Sequence, residues 1–240
     1  MKLLFLCLFA VIFSSFAEFP SSVKRCHKED SECLRSTAQA FVEQHYSGLP
    51  ELGLQEFDPL KANDFSLKTN PDSPIKIETS YKNVTFYGMK AMQILSINKT
   101  GDHIEFDANI PELIQVGNYK VSGNVLILPI VGEGPSKVVS RNVYIKYSFD
   151  LKPVEKNGKI YAKLHHTKLI FEAENVKYHL ENLFNGDKVL GETMNRFLNE
   201  NWKDIYEELK PAFSKMFNAL VKSRLETVFG KYPSEEYFLQ

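Results

Sequence analysis

The sequence predicts an α+β fold in which a long C-terminal α-helix is wrapped by a strongly curved antiparallel β-sheet, and three observations predict it. Segments between about residues 75 and 171 alternate apolar and polar residues with a period of two. The C-terminal stretch then changes to a period of 3.6 and carries an apolar stripe for some seven turns. That stripe is broad and rich in aromatic and sulfur side chains, so it needs a curved partner to hide it from water, and a curled sheet supplies one.

The first residues stand apart from this fold. Lys2 gives a positive start, residues 3–13 are an unbroken apolar run, and Ser15-Phe16-Ala17 places small residues where a signal peptidase cuts. Residues 1–17 therefore read as a secretory signal, and residues 18–240 as one exported domain with no linker-like shift in composition. The apolar run is too short to span a bilayer, and no later stretch approaches the ~20 apolar residues of a membrane helix, so stable membrane insertion is not expected. The formal charge of -1 becomes -2 once Lys2 is removed, with acids and bases mixed along the chain. No basic stripe for nucleic acid is present.

Of the three cysteines, Cys7 leaves with the signal, while Cys26 and Cys33 form an even pair in a chain bound for an oxidising compartment. A disulfide is expected. The rival readings are a metal pair or a redox pair, which a C-x6-C spacing with only His27 nearby fits poorly.

After this ring, Leu34, Ala38, Phe41, Val42 and Tyr46 fall at helical spacing until Ser47-Gly48-Leu49-Pro50 ends the pattern, which predicts an amphipathic helix of about 15 residues. A proline-broken connector, Pro50 to Lys61, follows. The alternating segments begin at Ile75, Val84, Ile94, His103, Tyr119, Asn142 and Ile160, with Tyr119 to Leu128 reading as one strand. Turn signals fall at Lys99-Thr-Gly-Asp102, Gly132-Glu-Gly-Pro135 and Asn157-Gly158, the last a hairpin signal. Gly88, Gly117 and Gly123 mark bends or bulges in or beside long strands.

Beyond Asn185-Gly186-Asp187, Val189, Leu190, Met194, Phe197 and Leu198 make one apolar face, and residues from Trp202 to Phe229 continue it. Asn199 or Asn201 is the expected cap between two helical segments. Pro211 is expected to kink or break the second one.

Catalytic chemistry is mostly missing. There is no G-x-S-x-G elbow and no H-E-x-x-H. Gly132 to Lys137 lacks the third glycine of a dinucleotide loop and reads as a turn. His165-His166 lies in a strand, where neighbours face opposite ways and cannot share a metal, and neither His45 nor His103 has a ligand partner at metal spacing. Glu207 and Glu208 project about 100 degrees apart on a helix and make a poor acid/base pair. No metal, cofactor or catalytic residue is assigned. Asn83-Val-Thr and Asn98-Lys-Thr are glycosylation sequons at Asn83 and Asn98, with accidental matches as the alternative. What remains is apolar capacity: 18 phenylalanines and 11 tyrosines, which fill an ordinary core or line an elongated cavity between helix and sheet.

Cys26 and Cys33, Pro50-Glu-Leu-Gly-Leu54, Phe57-Asp-Pro-Leu-Lys61, Gly117-Asn-Tyr-Lys-Val-Ser-Gly123 with Leu128-Pro-Ile-Val-Gly-Glu-Gly134, and Asn182-Leu-Phe-Asn-Gly-Asp-Lys188 followed by Phe197-Leu-Asn-Glu-Asn-Trp-Lys203 form an ordered set. The set resembles the insect takeout and juvenile-hormone-binding protein family over nearly the whole mature chain. The resemblance implies a TULIP-like super-roll around an apolar tunnel for a lipid-like ligand, and it also implies the Cys26–Cys33 bridge. The haemolymph hormone carriers of that family have a second disulfide, for which the mature chain has no cysteines, so it looks more like the takeout branch.

The leading expectation is thus a secreted, monomeric carrier of an elongated hydrophobic molecule such as a terpenoid, fatty acid or odorant. Trp202, Tyr206, Phe213, Met216, Phe217 and Leu220 would form the tunnel floor, and Phe86, Phe106, Tyr119, Tyr144 and Tyr147 the sheet side. The alternatives are a protein that reads lipid surfaces or a receptor without bound ligand, and a lipid esterase.

Overall fold

The structure, a computed structural model, describes residues 18–70 and 72–239. The expected signal sequence and Cys7 lie outside the described residues. In chain order the elements are β1 (Cys26–His27), α1 (Ser31–His45), β2 (Leu60–Ala62), β3 (Phe65–Lys68), β4 (Ile75–Tyr87), β5 (Gln93–Thr100), β6 (His103–Val125), β7 (Leu128–Lys156), β8 (Lys159–Leu180), α2 (Lys188–Glu200), α3 (Trp202–Lys231), α4 (Ser234–Tyr237) and β9 (Phe238–Leu239).

Seven strands form one antiparallel sheet in the order β2-β4-β6-β7-β8, with β3 beside β4 and β5 beside β6. Strands β6, β7 and β8 run for 23, 29 and 22 residues, several times the common strand length, and strands that long must coil. Register shifts between Lys82 and Thr85, Ile94 and Ser96, and Ser148 and Asp150 add local bends. The sheet curls around α3 without closing into a barrel. The inner face of the sheet and α3 share one core that includes Phe86, Tyr119, Tyr147, Leu164, Tyr206 and Phe217.

The Asn157-Gly158 signal produces the β7–β8 hairpin, with both residues at positive φ. The β6–β7 hairpin differs from expectation. Its turn is Leu126-Ile127, inside what reads as one strand, and Gly132 to Pro135 is not a turn but part of β7, paired with β6 from Val121 to Asn118. The glycines serve close approach instead. A Cβ at Gly132 would stand 2.8 Å from the Tyr119 hydroxyl and 3.0 Å from Leu183 Cα, and one at Gly134 would stand 2.8 Å from the Glu181 carbonyl oxygen. The apolar turn leaves Ile127 92% exposed at the hairpin tip.

Helix α1 starts at Asp30, whose carboxylate accepts the Cys33 N–H at 3.0 Å. The Cys26–Cys33 disulfide is formed, and β1 pairs in parallel with β9, so the two chain ends meet beside α1. Gln39 fixes α1 to β5, accepting the Ile94 N–H at 2.7 Å and donating to the Met92 carbonyl at 3.3 Å.

Asn201 separates α2 from α3, as one of the two expected caps, but its amide donates to the Phe197 carbonyl behind it rather than capping α3. Asn199 lies within α2. Helix α3 runs through Pro211 without a break. The proline deprives only the Glu207 carbonyl of its helical donor, and Glu207 lies on the solvent-exposed side of the helix.

The outer edge of β8 is closed by side chains. Asn195 accepts from the Leu180 N–H and donates to its carbonyl, both at 2.8 Å; Asn199 does the same with Tyr178 at 2.9 Å. The Tyr206 hydroxyl accepts from the Ala173 N–H at 3.1 Å and donates to the Phe171 carbonyl at 2.8 Å. These groups stand in for a missing strand and hold both helices to the sheet.

Candidate ligand cavity

Between α1, α3 and the inner face of the sheet lie two adjoining cavities. The first, of about 250 Å³, is floored by α3 residues recurring at three- and four-residue spacing: Phe217, Leu220, Val221, Arg224, Leu225 and Val228. The sheet contributes Phe106, Ile110, Leu113, Ile145, Tyr147, Leu169 and Phe171. Phe41 and Val42 of α1, with Leu54, Phe57, Met89 and Met92, close the side opposite the sheet's long strands. The second cavity, of about 370 Å³, continues past Phe41, Met92, Phe106, Leu225 and Val228, which line both, toward Phe149, Phe229, Tyr237 and Phe238 where the chain ends meet.

Local structure explains how loop residues reach this wall. The buried Asp58 carboxylate accepts the N–H groups of Gly88 at 3.1 Å and Lys90 at 2.7 Å, anchoring the short 3-10 turn Met89–Ala91 so that Met89 and Met92 reach the cavity. Leu54 is held by paired hydrogen bonds with Leu49.

Polar groups are few on the wall of the first cavity: Gln55, Arg224 and the Tyr147 phenol. Burial pushes the ionisation of Tyr147 up to about 12, as it does that of Tyr237 on the wall of the second cavity. Both phenols are therefore neutral at physiological pH. The arrangement can surround an apolar chain with hydrocarbon and aromatic rings, and it offers no nucleophile–base pair.

Of the residues expected to form a tunnel, Phe217, Leu220, Phe106 and Tyr147 line the first cavity, and Phe106 also the second. Tyr206, Phe213 and Phe86 border a separate space of about 30 Å³ beside Phe217, room for about one water. Trp202 packs half-buried with its ring 6.3 Å from Tyr206, and Met216 packs half-buried against the core. Tyr119 is buried, but its hydroxyl donates to the Glu181 carbonyl at 2.8 Å. Tyr144 binds the Asp107 carboxylate. Being three positions apart on one strand, Tyr144 and Tyr147 have opposite parity and cannot share a face.

The cavity also draws on residues outside that set. Phe41 and Val42 belong to the apolar stripe of α1, which the spacing identifies as amphipathic without naming its partner. Leu225 and Val228 extend the α3 stripe, and Arg224 interrupts it at the same spacing. Met89 and Met92 carry no periodic signal.

The histidines also differ from their sequence reading. A register shift next to Asp150 and a positive φ at His166 leave His165 and His166 both exposed rather than on opposite faces. His103 and His166 each place Nδ1 2.8 Å from one oxygen of the Asp150 carboxylate, drawing that acid below its usual range. Among the described residues no group of three or more histidine, cysteine or carboxylate side chains is arranged so that it could hold a metal ion, this trio included. Asn83 and Asn98 are both exposed, and no described helix is long and apolar enough to cross a membrane.

Comparison with known proteins adds to this geometry. The chain is 27% identical over 233 residues to the circadian clock-controlled protein daywake of Drosophila melanogaster, covering 92% of this chain and 88% of that protein. It is 21% identical over 209 residues to a candidate beta-carotene-binding protein of Schistocerca gregaria, covering 85% and 82%. Among solved structures, Takeout 1 of Epiphyas postvittana superposes with a TM-score of 0.80 at 29% identity, covering 91% of this chain and all of that one. The profile of the haemolymph juvenile hormone binding proteins matches residues 3–239, and with the curled sheet, the long helix and the cavities between them, the chain belongs to that family.

Proposed function

We propose that the protein is a secreted, monomeric carrier that solubilises an elongated hydrophobic small molecule by enclosing it, without catalysis. The observation that carries this reading is the pair of adjoining cavities lined almost wholly by apolar side chains. Affinity would come from apolar area removed from water, at about 25 cal/mol per Å², and the candidate carotenoid binder among the relatives fits the same ligand chemistry. The ligand class includes terpenoids, fatty acids and odorants. Phe217, Leu220, Phe106 and Tyr147 would touch it, while Trp202, Met216, Tyr119 and Tyr144 would support the walls. Asn83 and Asn98 would carry glycans.

Mild purification, organic extraction and mass spectrometry test the reading. A stoichiometric apolar compound, or displacement of a bound apolar fluorophore such as N-phenylnaphthylamine by added lipids, is expected. A protein that yields no lipid and binds no such probe would sink the carrier reading. The exposed Leu126-Ile127 tip supports a second reading, contact with lipid surfaces; flotation with liposomes by a protein that holds no extractable ligand would favour it.

A further inference from the structure

Among the described residues Arg224 is the one charged side chain on the wall of the first cavity. It occupies the α3 stripe between Val221 and Val228 and is half-buried, and among the described residues no carboxylate or carbonyl accepts a hydrogen bond from it. The same side chain borders an open recess formed by Ser47, Gly48, Pro50, Gly53, Glu56 and Lys61, and it shares with that recess Leu54 and Gln55 of the cavity wall. The three residues Leu54, Gln55 and Arg224 thus mark where the apolar interior meets solvent. Among the described residues Glu56 is the only carboxylate lining the recess, and the Lys61 ammonium holds it at 3.1 Å. One positive charge at the mouth is left without a counter-ion.

A guanidinium set against hydrocarbon loses hydration, and a partner that replaces the lost water is worth more there than at an open surface. Its planar fork of N–H donors matches the two oxygens of a carboxylate. We propose that Arg224 is the anchor for an anionic head group, and that the preferred ligand is a single long-chain carboxylate with its tail in the two cavities and its head at the mouth, where Gln55 adds an amide. The inference rests on the carrier reading but goes beyond it, because it selects among apolar ligands by charge. The opposing view is that Arg224 only lays its stem on the wall and extends its charge into water, in which case head-group charge would not matter.

The two views separate with three ligands of one chain length: oleate, oleyl alcohol and methyl oleate, each competed against N-phenylnaphthylamine at pH 8. The wild-type protein is expected to bind oleate roughly tenfold more tightly than the alcohol, the gain of one charge-assisted contact. In Arg224→Met the loss for oleate should exceed the loss for methyl oleate by about the same factor, and Arg224→Lys should recover part of it. Should Arg224→Met fail to fold, Arg224→Gln gives the same comparison. Equal binding of oleate and oleyl alcohol by the wild type, or a preference for oleate that survives the loss of Arg224, overturns the inference while leaving the carrier reading in place. Failure of all three ligands and of the probe overturns both.

Discussion

Phe217 shows how one residue serves core and cavity together. It stacks on Phe171 with centroids 5.4 Å apart, meets Phe86 edge-on at 5.1 Å, and still lines the first cavity. Phe217→Ala should destabilise the protein by about 3 kcal/mol in urea unfolding, the lower end of the range for buried phenylalanine, because a wall that already borders space has less packing to lose. The tyrosines make a different test. Burial pushes the ionisation of Tyr81, Tyr119, Tyr147 and Tyr237 up to about 12, against an ordinary value near ~10. A phenol whose ionisation is raised on folding stabilises the fold fully below its unfolded value and loses that contribution as pH rises through the folded one. Stability should therefore hold to about pH 10 and then fall toward pH 12. Tyrosinate absorbance followed alongside circular dichroism checks this, and ionisation of all eleven tyrosines near pH 10 in a still-folded protein would contradict it.

At the scale of elements, the least guessable device is the closure of the β8 edge by α2. Asn195 and Asn199 are four residues apart, one helical turn, and they meet Leu180 and Tyr178, two residues apart on one strand face. The two periods coincide only when the helix lies along the strand. Each amide satisfies a part-buried N–H and carbonyl, so Asn195→Leu and Asn199→Leu should each cost about 1–2 kcal/mol. Hydrogen exchange at the amides of Leu180 and Tyr178 should accelerate selectively; unchanged protection there would show that the side chains do not hold the edge. In the sequence Asn199 reads only as one of two candidate helix caps and Asn195 carries no signal, since nothing local reveals an unpaired strand edge elsewhere.

For the whole molecule, the two chain ends form one wall of the second cavity. β1 pairs with β9, the Cys26–Cys33 bridge ties β1 to α1, and α1 supplies Phe41 and Val42 to both cavities. Replacing both cysteines with serine should lower stability by about 2.5 kcal/mol, the value for so short a closed ring. It should also weaken binding of an apolar probe more than the Phe217→Ala change does, because it loosens a whole wall rather than one side chain. Probe titration of the two variants makes the comparison, and an unaltered affinity in the cysteine-free protein would show that the chain ends only cover the cavity.

The sequence by itself determined the periods, and with them the sheet, the three main helices, the hairpin at Asn157-Gly158 and the need for a trough to hide the α3 stripe. Period is a local property that side-chain alternation writes directly. Tertiary structure decided which members of a stripe border space and which pack solid. Trp202 and Phe217 carry the same helical signal, yet Phe217 faces a cavity and Trp202 does not, because that depends on how far the sheet stands from α3 at each turn. It also decided that Gly132 to Pro135 extends a strand, since the reason for those glycines is the approach of Tyr119 and Leu183, distant in sequence. Arg224 lies between the two cases. Its spacing marks it as a charge on an apolar face, and only the meeting of the cavity with the recess around Glu56 and Lys61 places that charge at a mouth.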